Sequence, residues 1–196
     1  MDLLKKTIEE EGVVLSPSVL KVDGFLNHKI DPILLDEIGK EFAGAFRNLG
    51  ITKVLTIESG GIVPAFTTAL YLNVPVVFAK KAEPSTMRNP KTCRVHSFTK
   101  NTDYTICIEQ NTIHEGDRVL FIDDFLANGQ AYLGIKKLVE DCHARLVASG
   151  FCIEKAWQPG HSILKQDGFP FKVLASIRHM SPEEGISWNY DTAETE

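Results

Sequence analysis

Residues 118–131 read RVLFIDDFLANGQA, an apolar stretch that ends in two adjacent carboxylates, Asp123 and Asp124, and then turns through small residues. A helix is predicted to begin near Gly129. Paired acids accept hydrogen bonds from vicinal sugar hydroxyls, and the first amides of a helix bind phosphate through unpaired N–H groups and the helix dipole. Side by side, the two devices would hold a ribose phosphate. An Asp-Asp pair at a strand end also occurs as a solvated turn or a helix cap, so the neighbouring elements decide between these readings.

Those elements alternate. Short apolar strands are predicted near 53–57, 74–79, 118–122 and 146–153, with helices near 61–72 and 129–142. Buried-looking strands separated by helices argue for an α/β chain with a mainly parallel sheet covered on both faces. Ligands gather at the carboxyl ends of such strands. Three loops leave those ends: Glu58-Ser59-Gly60-Gly61, Lys80-Lys81, and Asp123 to Ala131. The Gly pair is equally a plain strand-to-helix turn, and the lysines are equally solvated. Side chains alternate along a strand, so Asp123 and Asp124 cannot share one role unless the strand has already ended.

Before this core, residues 2–11 read as a helix stopped by Gly12, and Val13 to Ile30 as strands and turns. Asp31-Pro32 opens an amphipathic helix with Leu34, Ile38, Phe42, Ala45, Phe46 and Leu49 on one face, and Gly50 ends it. The interval 82–103, rich in Pro, Thr, Asn, Lys and Arg, is too long for an ordinary connector and reads as a lid or a poorly structured excursion. The last seven or so residues read as a polar tail.

Taken together these stretches resemble the type I phosphoribosyltransferases. Residues 118–131 match the family's signature for 5-phosphoribosyl pyrophosphate (PRPP): hydrophobic residues, an acidic pair and a phosphate loop. The segments EGVVL (11–15), LKVDGFLNH (20–28), TIESGGI (56–62), SFTK (97–100) and IEK (153–155) are similar to the bacterial xanthine-using branch of that family. Many members carry Thr-Gly-x-Thr in the phosphate loop. This chain has Ala127-Asn128-Gly129-Gln130-Ala131, as the xanthine branch does, so backbone amides and the side chains of Asn128 and Gln130 must replace two hydroxyl donors.

The resemblance implies a type I phosphoribosyltransferase fold in one domain, 1–196, with a small N-terminal β-rich hood (about 12–30, joined by the C-terminal part) and a mobile lid (about 82–103). It implies transfer of the phosphoribosyl group of PRPP to N9 of xanthine, giving xanthosine 5′-monophosphate and pyrophosphate in purine salvage. Asp123 and Asp124 become the catalytic acids beside the ribose. Ala127, Asn128, Gly129, Gln130 and Ala131 hold the 5′-phosphate, and Ser59, Gly60 and Lys81 face the pyrophosphate. Leu20, Asn27 and Lys155 contact the base. Alone, these three read as a core residue, a turn residue and a surface cap. Mg²⁺ is implied as the PRPP complex, held mainly through substrate, and the assembly implied is a homodimer. The alternatives are transfer to guanine, hypoxanthine or adenine, or a PRPP-sensing purine regulator that has lost the reaction. Such a regulator needs a nucleic-acid module, for which the segment before residue 30 has no room.

Bulk composition agrees. A chain of 196 residues, 43% hydrophobic, buries an ordinary core without staples. A net charge of −5 with no dense Lys/Arg run disfavours nucleic acid and anionic membranes. Cys93, Cys107, Cys142 and Cys152 lack CxxC spacing and read as reduced core thiols, which suits the cytoplasm. No apolar stretch approaches the ~20 residues of a membrane span, and the N-terminus has no signal-like apolar run. The histidines show no metal-ligand spacing, and no protein-built metal site is expected.

Overall fold

The computed structural model describes residues 1–82, 87–97 and 102–189. Six strands form the central sheet: β3 (Lys53–Ile57), β4 (Val76–Ala79), β7 (Arg118–Leu126), β8 (Arg145–Lys155), β9 (Phe171–Ser181) and β10 (Gly185–Trp188). Their order is β10-β9-β8-β7-β3-β4, parallel throughout except for the antiparallel edge pair β9–β10. The parallel strands are long apolar runs because both faces are covered.

The alternation along β7 shows how. Leu120 and Ile122 enter a cluster with α2 (Pro32–Phe46) and α3 (Ile62–Leu72). Val119 and Phe121 enter the opposite cluster, beneath α4 (Gln130–Asp141) and α5 (Gly160–Asp167). Helix α2 starts where its sequence dictates: Asp31 Oδ1 accepts from the amides of Ile33 and Leu34 at 2.9 and 3.1 Å, with Pro32 in the first turn. Gly50, in the left-handed region at φ 60°, closes the short 3-10 turn that follows.

Ahead of the sheet lie α1 (Asp2–Glu11) and a small hairpin of β1 (Val13–Ser16) and β2 (Val19–Lys21). The hood segment is not all strand and turn, since Asp23–Asn27 forms one π-helical turn. Its short polar residues allow this while Phe25 and Leu26 are pulled fully into the core.

Within the interval 82–103, described residues form strand where composition suggests loop. β5 (Lys91–Ser97) and β6 (Thr102–Ile108) pair as an antiparallel hairpin, docked on the sheet edge where Lys80 and Cys107 exchange both backbone hydrogen bonds at 2.8 and 2.9 Å. Cys93, Val95 and Ile106 bury one face of this hairpin. That half-buried, period-two face is masked in sequence by charged and hydroxyl residues on the other. Residues 83–86 and 98–101 of the expected lid, and the expected tail from 190 onward, lie outside the described residues.

Helix α5 and strands β9 and β10 were not predicted. They complete the sheet at the C-terminal side, where β9 pairs with β8 from Ser149↔Phe171 to Lys155↔Ile177. No described helix is long and apolar enough to cross a membrane.

Candidate active site

Strands β3, β4 and β7 all point their carboxyl ends at one cavity of about 360 Å³. Asn27, Ser59, Gly60, Lys81, Asp123, Asp124 and Ala131 line it, together with Glu58 of the expected loop and three residues sequence reasoning did not assign: Asp23, His28 and Tyr104. The three expected loops therefore converge.

β7 does not stop before its acids. It continues to Leu126, and Asp123 still pairs with Phe151 of β8. Alternation gives the two carboxylates different neighbours, although they stay close enough to interact with each other. Asp124 faces the hood, where Asn27 Nδ2 donates to Asp124 Oδ2 at 3.4 Å. Asp123 is 8% exposed and feels the Lys81 cation and the Tyr104 phenol of the hairpin side. Burial first, and then the neighbouring Asp124 charge, push the Asp123 carboxyl well above the usual carboxylate range. The Asp124 amide donates back to Asp123 Oδ1 at 3.0 Å, which offsets part of that rise.

Both acids lie against the Glu58–Gly61 loop, and its glycines are required for that. A Cβ on residue 60 would stand 2.0 Å from Asp124 Oδ2; one on residue 61 would stand 2.1 Å from Thr56 Oγ1 and 2.8 Å from Asp123 Oδ1. The Glu58–Ser59 peptide is cis. Glu58 Oε1 accepts from the Lys81 amide at 2.8 Å, joining this loop to the end of β4. The Lys81 ammonium sits 5.8 Å from the Tyr104 ring centre.

The phosphate loop runs alongside. Gly129, at φ 78°, is the N-cap of α4, and a side chain there would also meet Ile163 Cδ1 at 2.9 Å. Ala131 lines the cavity, whereas Ala127, Asn128, Gly129 and Gln130 are not among its lining residues; the first amides of α4, which follow Gly129, have no intrahelical partner.

The three expected base contacts separate. Asn27 lines the cavity. Leu20 is 7% exposed and packs in the core. Lys155, at the end of β8, is aimed across the hood: its ammonium donates to the Ser18 carbonyl at 2.7 Å and lies 5.2 Å from the Phe125 ring centre. Burial lowers its pKa, opposed by the Asp124 charge. Among the described residues, no three His, Cys, Asp or Glu side chains are grouped to hold a metal ion.

Asp23 and His28 were missed although they flank Asn27, because a polar turn gives no sign of which residues face inward. Tyr104 had a usable signal, the alternation across TDYTICI (102–108).

Comparison with known proteins agrees with this geometry. The family model for the phosphoribosyl transferase domain matches residues 28–173. The xanthine phosphoribosyltransferase of Bacillus thuringiensis (strain Al Hakam) is 48% identical over 195 residues, covering 99% of each chain. That of Acinetobacter baumannii (strain ACICU) is 47% identical over 182 residues, covering 92% of this chain and 95% of its own. Among solved structures, adenine phosphoribosyl transferase from Trypanosoma brucei, in complex with AMP, pyrophosphate and ribose-5-phosphate, superposes with a TM-score of 0.76 at 22% identity, covering 88% of this chain and 79% of that one. At that identity it supports the fold alone. The chain belongs to the phosphoribosyltransferase family, and it is similar along nearly its whole length to the bacterial xanthine phosphoribosyltransferases.

Proposed function

We propose that the protein transfers the 5-phosphoribosyl group of PRPP to N9 of xanthine, releasing xanthosine 5′-monophosphate and pyrophosphate in purine salvage. The observation that carries this reading is the placement of two β7 carboxylates against Gly60 and Gly61, in a cavity that Ala131 of α4 and Asn27 also line.

In this reading the reaction needs the sugar held, the leaving group held and water excluded. Asp123 and Asp124 take the ribose side and stabilise positive charge that grows on the ring as the bond to pyrophosphate breaks. The 127–131 loop fixes the 5′-phosphate through its amides, assisted by Asn128 and Gln130. Ser59 and Gly60 offer backbone to the pyrophosphate, and Lys81 adds a cation. Asn27 and Lys155 present donors to the exocyclic oxygens of a dioxo purine, with Leu20 behind them as packing.

The two acids with the open cavity beside them suit a Mg²⁺–PRPP complex better than a protein cage, because Mg²⁺ keeps phosphate and water ligands. When bound, the ion neutralises the leaving pyrophosphate. Asp123 and Asp124 would face it across the ribose hydroxyls.

A homodimer is part of the proposal, supported by an apolar depression on the outer side of α3 and β4 lined by Phe66, Leu70 and Val76. So is action in the cytoplasm, supported by four buried cysteines that form no disulfide among the described residues. A PRPP-dependent assay of pyrophosphate release with adenine, hypoxanthine, guanine and xanthine in parallel tests the reading. Xanthine should be the preferred acceptor, and release that ignores the purine would sink it.

A further inference from the structure

Behind the phosphate loop lies a buried polar cluster for which the transfer chemistry has no direct use. Glu154, next to Lys155 on β8, is 1% exposed. Its Oε2 accepts from Ser176 Oγ of β9 at 2.5 Å, and its Oε1 lies 2.6 Å from Nδ1 of His161, in the first turn of α5. The His161 ring also meets Phe171 edge-on at 5.2 Å. A carboxylate so deep in a sheet is costly unless its oxygens are satisfied, and here both are.

The start of α5 is in turn the back wall of the phosphate loop. The Gly160 amide donates to the Ala127 carbonyl at 2.9 Å. The approach is so close that a Cβ on residue 160 would stand 2.4 Å from that oxygen, and Gly129 packs on Gly160 Cα and Ile163. The far end of α5 is pinned as well, since Asp167 accepts from Tyr132 Oη at 2.5 Å and pairs with Lys136, both on α4. Helix α5 therefore braces the loop from Ala127 to Gly129 against the helix whose first amides it presents.

We propose that Glu154 and His161 are positioning residues for the PRPP 5′-phosphate, acting by holding the start of α5 against the Ala127 carbonyl and so setting the direction of the loop amides. This rests on the loop being the phosphate site, as proposed above. Neither residue lines the cavity, so the effect passes through the backbone.

The test separates the ring from its hydrogen bond. His161→Phe keeps the packing on Phe171 and removes the donor, whereas His161→Asn loses the ring and restores an amide donor near the Nδ1 position. His161→Phe should raise KM for PRPP on the order of tenfold, as small misplacements of a binding loop do. KM for xanthine should stay near wild type, and His161→Asn should recover most of the PRPP affinity. If His161→Phe does not fold, His161→Ala, which admits water to Glu154, carries the same expectation. Unchanged KM for PRPP in a folded donor-less variant, or equal loss toward both substrates, would overturn the positioning role. Wild-type protein that shows no purine-dependent pyrophosphate release would instead overturn the transferase reading, so the two failures are distinct.

Discussion

The Asp124 carboxylate occupies the space that a side chain on residue 60 would need: a Cβ on Gly60 would stand 2.0 Å from Asp124 Oδ2. The acid of a strand thus dictates the glycine of a neighbouring loop. Gly60→Ala should leave a folded protein, because the clashing atoms end a flexible side chain, yet displace Asp124 from the ribose side. Turnover should fall roughly a hundredfold, the penalty of an ångström-scale misplacement. Circular dichroism and steady-state rates measured together check this, and wild-type turnover would contradict it.

Asp124→Asn should cost on the order of a hundredfold in kcat, as loss of one well-placed electrostatic group does. Asp124 is half-buried and its carboxylate ends at the cavity, so thermal stability should change little. Full activity in the variant would remove the acid from the reaction.

Asp123 differs because it is buried. Its folded pKa is raised well above the ordinary carboxylate value of about 3.9, first by burial and then by Asp124. A carboxyl raised in this way contributes stability below its unfolded pKa and loses that contribution as pH climbs through the folded value. Asp123→Asn carries no such loss. Relative to wild type it should therefore melt progressively higher as pH rises above about 4 toward the folded value, while its turnover falls at least as far as that of Asp124→Asn. Melting curves that run parallel for the two proteins across this range would contradict the assignment.

Lys155→Ala should raise KM for xanthine and leave KM for PRPP near normal, because the ammonium lies over Phe125 and on the hood carbonyl of Ser18, away from the α4 amides. A rise confined to PRPP would move Lys155 to the phosphate half of the site.

Tyr104 and Lys81 place the β5–β6 hairpin at the cavity edge. Backbone amides of Thr102 to Ile106 should exchange more slowly once PRPP and a non-reactive purine are both bound. The same exchange rates with and without the two ligands would detach the hairpin from the site.

The sequence by itself determined the strand–helix alternation, the Asp31 cap of α2, the Gly50 stop of the 3-10 turn after it, and the three loops at strand ends. Each of these is local: a hydrophobic period, a capping oxygen, a residue tolerant of positive φ. It also carried the acidic pair and the phosphate loop, because adjacent residues need no folding to be adjacent. Only the tertiary structure gave the acids different neighbours. β7 is stabilised by neighbours on both sides as far as Leu126, and that continuation turns Asp124 to the hood and Asp123 to the hairpin. It likewise put Leu20 in the core and Asn27 in the cavity, since the local sequence does not record which side chains the packing of Phe25 and Leu26 will swing inward. The hairpin, α5 and β9 escaped for the same reason. Their burial is supplied by distant partners, and a strand covered on one face by a remote helix looks, in sequence, like a polar loop.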